Sequence, residues 1–317
     1  AGQERIHERG GRKLFEEAMT LYHGLAHTIN KPRAGLLFDA SRSVGCKTAL
    51  VADRMDKVDV SSLTNKEEKQ KILKDFKEIA TSSPYHYVDY LIGLWYDLLG
   101  GEEVNKHAVQ YYNKAIKDGN EMSMYSLGCA YECGEIGLSQ SSTKANELYT
   151  LAAEKGHADA RHYLGISFYE GRGVEIDYNR CVELYEQSAE QGLVAAQILL
   201  MNLYSDGSPD VPMTIPVNEN SSFRWSLAAA KQGDVYCMTV TGVSYYLGRG
   251  VEQNNEAGFE WTMKAAESES VIAQANLGVF FEEGKGVEID LVQALHWYQK
   301  AAAQGDEEAR EAVERLS

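Results

Sequence analysis

Long apolar runs are missing from this chain. No stretch of its 317 residues approaches the ~18–20 consecutive apolar residues that a membrane-spanning helix needs, so no segment reads as one. Basic residues are in short supply, 31 against 47 acidic, and the formal charge of −16 excludes nucleic-acid binding through net charge, since phosphates need a basic face. Proline is scarce at 5 residues, while 44% hydrophobic content excludes wholesale disorder. The 5 cysteines (46, 129, 133, 181 and 237) are an odd count and cannot all pair internally. They read as reduced thiols and favour a reducing compartment. The opening AGQERIHERGG has no apolar signal-peptide core, and a first residue of Ala is compatible with a leader already removed.

Recognisable catalytic motifs are absent too. There is no G-x-x-x-x-G-K-[ST], no G-x-G-x-x-G after a strand pattern, and no HExxH, G-x-S-x-G or CxxC. Gly45-Cys46-Lys47-Thr48 lacks the upstream glycine of a phosphate loop, and turns such as GRGVEID read as structural. Cys129 and Cys133 share a helix face but have no histidine pair at ligand spacing, so no metal site and no cofactor are expected. His162 near Tyr169 and Glu170 could form an acid–base pair, yet an exposed helical surface seldom shifts a pKa usefully. No catalytic residue is assigned.

What is present is repetition. Segments 158–192 and 271–305 align without gaps, sharing Leu-Gly, an aromatic three residues on, Gly-x-Gly-Val-Glu-Ile-Asp and a closing Gly. Segments 121–156 and 235–269 follow the same plan. The closing position falls at Gly119, Gly156, Gly192, Gly233, Glu269 and Gly305, a period of 36–41 residues. Extended backwards, the ruler lands on Ser82 and Gly45, each closing an apolar-periodic helix.

Each unit reads as two helices. In the last, Ala275, Leu277, Gly278 and Phe281 form one stripe, and Leu291, Ala294, Leu295, Tyr298 and Ala301 a second. Gly278 permits close helix approach, with the aromatic three residues later expected to fill the space beside it. Gly284 and Gly286 suit a turn with positive φ, and Asp177 and Asp290 are placed to cap second helices. One pair cannot bury its own apolar face, so neighbours must stack. The expectation is an all-α, right-handed α-solenoid of about eight helix-turn-helix units. Residues 1–82 form two divergent units, 83–305 six regular ones, and 306–317 a C-terminal cap helix. The sixth unit carries an insertion at 205–222 with Pro209, Pro212 and Pro216.

At the pattern LG-x-x-[YF]-x-x-G-x-GV-x-x-D…A-x-x-WY-x-KAA-x-x-G the chain resembles the Sel-1-like repeat, a relative of the tetratricopeptide repeat. The likeness is strong over 121–305, fair over 84–120 and weak over 12–82. Trp297-Tyr298 and Lys300-Ala301-Ala302 carry it most clearly, and such aromatic pairs (Tyr111-Tyr112 likewise) read as core positions. The resemblance implies a role in assembling or regulating complexes, as in ER-associated degradation, chitin-synthase activation, bacterial–host contact and signalling.

By analogy with tetratricopeptide geometry, the first helices should line a concave side. Its exposed positions would lie three residues before the repeat glycine and one, four and five after it. They are Tyr90 and Asp97; Tyr125, Cys129 and Glu132; His162, Tyr169 and Glu170; Asn202 and Asp206; Tyr246; Glu282 and Glu283. Six residues before the glycine come Tyr87, Met122 and Tyr236. This strip of Tyr and carboxylate suits a basic or mixed-charge segment of a partner protein. Its alternative is a solvated acidic face with Tyr chosen for packing. The corresponding functions are a non-catalytic protein–protein adaptor or scaffold, a permanent subunit of a larger complex, or, more remotely, a hydrolase or small-molecule binder.

Overall fold

A computed structural model describes residues 86–99, 101–206 and 216–317, with isolated positions at 73, 74 and 77. The two divergent units expected over 1–82, and Pro209 and Pro212 of the insertion, lie outside the described residues. The chain divides into two compact units, 1–188 and 189–317.

The first unit holds α1 (His86–Leu99), α2 (Glu102–Lys117), α3 (Glu121–Cys133), α4 (Ser142–Glu154), α5 (Ala158–Glu170) and most of α6 (Tyr178–Glu190). The second holds α7 (Val194–Asp206), α8 (Glu219–Lys231), α9 (Val235–Leu247), α10 (Asn255–Glu267), α11 (Val271–Glu283), α12 (Leu291–Ala303) and α13 (Glu307–Leu316). Among the described residues there is no strand. Within each unit successive helices pack on one another, and the fold is the all-α repeat architecture expected from the periodicity.

Local chemistry sets the helix ends. Asn120, Ser141, Asn218, Asp234, Asn254, Ser270, Asp290 and Asp306 each accept a backbone N–H of the first turn that follows. Asp177 does the same for Arg180 at 3.0 Å, so both caps expected from the sequence form. First helices α3, α5, α9 and α11 end on Gly134, Gly171, Gly248 and Gly284 in the left-handed conformation.

The repeat glycine is explained by what faces it. A Cβ on Gly93, Gly128, Gly165 or Gly278 would sit 2.4–2.7 Å from the ring of Tyr112, Tyr149, Tyr185 or Tyr298 on the paired second helix. The space beside Gly278 is therefore filled by Tyr298. Phe281, expected there, instead meets Phe259 edge-on at 5.3 Å. In the 235–270 repeat the facing residue is Thr262, whose Oγ1 would lie 2.4 Å away. Buried alanines let the pairs approach: Ala145, Ala152 and Ala160 in the first unit, Ala265, Ala273, Ala294 and Ala301 in the second.

The second glycine of each turn docks one repeat on the one before it. A Cβ on Gly173 would meet the Ser142–Thr143 backbone at 2.7 Å; on Gly250 the Glu219 carbonyl at 2.0 Å; on Gly286 the Asn255 carbonyl at 2.2 Å. Helix α13 ends the second unit. It buries Ala309 and Ala312 and turns Glu307, Arg310 and Glu311 outward.

Candidate interaction surface

In the first unit, the position three residues before the repeat glycine does not face solvent. Tyr90 is 2% and His162 9% exposed, because this position points at the paired second helix: Tyr90 lies 6.1 Å from Tyr112, and His162 5.6 Å from Tyr185. Tyr125 is half-buried, stacked on His157 at 4.6 Å. Met122 is buried as well. Tyr90, His162 and Met122 are thus removed from any accessible face, contrary to the sequence expectation. Tyr87 lies on α1 with its side chain outside the described residues.

The carboxylates of the first unit are engaged internally. Asp97 accepts the Tyr112 hydroxyl at 3.1 Å, and burial raises its carboxyl above the usual range against the effect of that bond. Arg172, from the GRG turn, places Nη1 2.8 Å from Glu132 and Nε 2.7 Å from Glu170. Tyr169 remains exposed, edge-on to Tyr178.

The same holds in the second unit. Glu282 accepts the Tyr298 hydroxyl at 2.9 Å and is clasped by both Arg315 amines; the Arg315 bond chiefly holds its carboxyl below the usual range. Glu283 lies 3.8 Å from Lys285, whose ammonium also sits 5.7 Å over the ring of half-buried Tyr246. The strip is therefore not a bare acidic face. First-helix residues alone make the strip look acidic, while the neutralising cations arrive from turns and from α13. Reversing the charge at Glu282 is expected to lower the thermal midpoint by about 2–4 °C in a circular-dichroism melt, since it breaks an internal clasp.

Asn202 is exposed and accepts from the Tyr236 hydroxyl at 3.5 Å; Tyr236 is itself 52% exposed. Asp206 ends α7 with its side chain outside the described residues. Three exposed aliphatics on the first helices of the second unit escaped the sequence reading: Leu199 on α7, Leu247 on α9 and Ile272, 60% exposed, on α11. Ile272 stands six residues before Gly278, as Tyr236 stands before Gly242, so the register could have found it.

Alongside α9 runs a cavity of about 710 Å³. Val235, Val240, Val243 and Phe223 give it apolar walls, Tyr236 and Ile272 lie at one end, and Arg249 and Glu219 at the other. Its hydroxyls are partly committed: Ser222 donates to the Met201 carbonyl, Thr239 to that of Val235 and Ser268 to that of Lys264.

Cys129, Cys181 and Cys237 are not set up as nucleophiles. Burial pushes Cys181 up to about 12 and raises Cys129 and Cys237 as well, the reverse of what thiolate chemistry requires. Among the described residues no cluster of His, Cys, Asp and Glu could hold a metal, and no helix is long and apolar enough to cross a membrane.

The Sel1 repeat family model matches residues 89–120, 122–157, 158–193, 195–234, 235–270 and 271–306. The chain is 32% identical over 85 residues to chitin synthase regulatory factor 3 of Schizosaccharomyces pombe, covering 27% of this chain and 9% of that protein. It is 28% identical over 190 residues to chitin synthase regulator SKT5 of Saccharomyces cerevisiae, covering 57% and 27%. The chain thus spans under a third of the length of these relatives. Among solved structures, a protective antigen of uropathogenic Escherichia coli displaying an SLR fold aligns with a TM-score of 0.63 and 28% identity, over 76% of this chain and 50% of that one.

Proposed function

The chain belongs to the Sel1-repeat family, and from that premise we propose that it is a non-catalytic protein–protein interaction adaptor, holding a partner segment of mixed charge against its first helices. The observation that carries this reading is in the second unit. Leu199, Tyr236 and Ile272 expose large apolar surface on α7, α9 and α11, and a cavity of peptide-binding size adjoins two of them. Packing explains the buried Tyr and the engaged carboxylates elsewhere, but it leaves these three side chains in water. Mixed charge replaces a purely basic partner because Arg172, Lys285 and Arg315 already offset the carboxylates facing them. Two relatives named as regulators of chitin synthase support a role exerted through another protein.

The test is affinity capture with the full chain, followed by mass spectrometry, comparing wild type with the double variant Tyr236→Asp, Ile272→Asp. Exposed Leu151→Ser, on a second helix, serves as control. Losing two apolar anchors is expected to weaken partner binding by about tenfold or more, while the control retains its partners. A partner set unchanged by the double variant defeats the proposal.

A further inference from the structure

Two residues lining the α9 cavity differ from their equivalents in the other repeats, one in its surroundings and one in identity. The first is Arg249. The same turn position holds Arg172 and Lys285, and each reaches the residue four past the repeat glycine of the preceding first helix: Glu132 for Arg172, the Tyr246 ring for Lys285. For Arg249 that residue is Ser205, since Met201 stands at the glycine position of α7. Among the described residues no carboxylate lies within ion-pair distance of its guanidinium, and it lines the cavity exposed.

The second is Glu269. Gly119, Gly156, Gly192, Gly233 and Gly305 close their repeats at φ between 85° and 99°, whereas Glu269 occupies the corresponding corner at φ 66°. A side chain in the left-handed region is strained where glycine is not. Here it places an exposed carboxylate on the cavity wall beside Ser268, Ser270 and Ile272.

Of the three charged residues on the lining, Glu269 stands at one end and Arg249, with Glu219 at the same end but not paired to it, at the other. Glu269 flanks the start of α9 with Val235 and Tyr236, and Arg249 its finish with Ser244. Tyr236 to Ser244 is eight residues of helix, about 12 Å of rise, the reach of about four residues of extended chain. The wall between is valine and phenylalanine. Ser222 and Thr239 are buried, and Thr239 also pairs with the Ser270 hydroxyl at 3.1 Å, whereas Ser268 is exposed and, donating to the Lys264 carbonyl, keeps a lone pair for an incoming N–H.

We infer that this cavity binds an extended peptide segment, about four residues long, with an acidic side chain at the Arg249 end, a basic one at the Glu269 end and aliphatic residues between. The inference rests on the adaptor reading and gives its second unit a ligand class.

Fluorescence polarisation with the full chain tests it, using labelled, end-blocked Glu-Val-Val-Lys, Lys-Val-Val-Glu and neutral Gln-Val-Val-Gln. One charged polarity should bind at least about tenfold tighter than the neutral peptide and weaken as salt rises. Arg249→Glu and Glu269→Gly should each remove most of that preference. Glu269→Gly should also raise the thermal midpoint by about 2–4 °C, so lost affinity cannot come from lost folding. Equal binding of all three peptides, no measurable binding, or a preference that survives both variants overturns the inference. If it falls while Tyr236→Asp, Ile272→Asp still strips captured partners, the adaptor reading stands without this ligand; if capture ignores that variant, the adaptor reading is what fails.

Discussion

Gly286→Ala is expected to lower stability by about 3–5 kcal/mol, the larger part from overpacking and the rest from left-handed strain. At φ 71°, its new methyl would lie 2.2 Å from the Asn255 carbonyl oxygen and 2.4 Å from that residue's carbonyl carbon. Both are helix backbone and cannot swing aside as a side-chain tip can. Gly305→Ala supplies the control. Its φ of 99° is just as unsuitable for alanine, yet nothing lies within 4 Å of the added methyl, so strain alone remains, about 1–2 kcal/mol. Urea unfolding followed by circular dichroism separates the two. Equal losses would mean that conformational strain dominates and that the inter-repeat contact yields easily.

The second large effect depends on pH and lies at the start of α5. His157 caps this helix with Nδ1, accepting from the Ala160 N–H at 3.3 Å, and burial, with nearby Arg161, lowers its pKa to about 4. Asp159, two residues on, is buried and raised to about 6. Unfolded histidine takes a proton near 6.5, so stability from His157 is full above that pH and declines by about 3 kcal/mol as pH falls to about 4. Asp159 runs the other way. Its folded form keeps a proton that the unfolded chain loses at 3.8, so its contribution is full at low pH and declines as pH rises to about 6.

The two slopes largely cancel in the wild type. Asp159→Asn should stabilise by about 1–3 kcal/mol at pH 7, the lower end reflecting the favourable helix dipole at this N-terminus. It should also unmask acid sensitivity between pH 6.5 and about 4. His157→Asn keeps a capping oxygen, as Asn120 does for α3, and should lose that sensitivity. Urea midpoints at pH 7, 5 and 3.5 read both variants. An Asp159→Asn protein no more stable than wild type at pH 7 would show that water reaches this carboxylate.

Sequence periodicity carried most of the fold because close packing is written in residue size. Gly93, Gly128, Gly165 and Gly278 mark where a ring from the second helix must pass, and Asp177 and Asp290 mark where that helix begins. The surface was less legible. Whether the residue three before the glycine is wet depends on the facing helix, and Tyr90 and His162 are covered by the tyrosines that the glycine admits. Charge was harder still, since Glu132 meets a cation 40 residues away and Glu282 one 33 residues away. Glu269, and Ser205 opposite Arg249, were visible as breaks in the repeat, but only three dimensions place Arg249 and Glu269 on one cavity.

The docked turns also give the chain a direction in time. Gly173, Gly250 and Gly286 each rest on a second helix that precedes them in sequence by about 30 residues. A ribosome emitting about 5–20 residues per second therefore finishes each seat seconds before the turn that occupies it emerges. Within each unit the nascent chain can set its repeats one upon another in order of synthesis, with each turn meeting a surface already made.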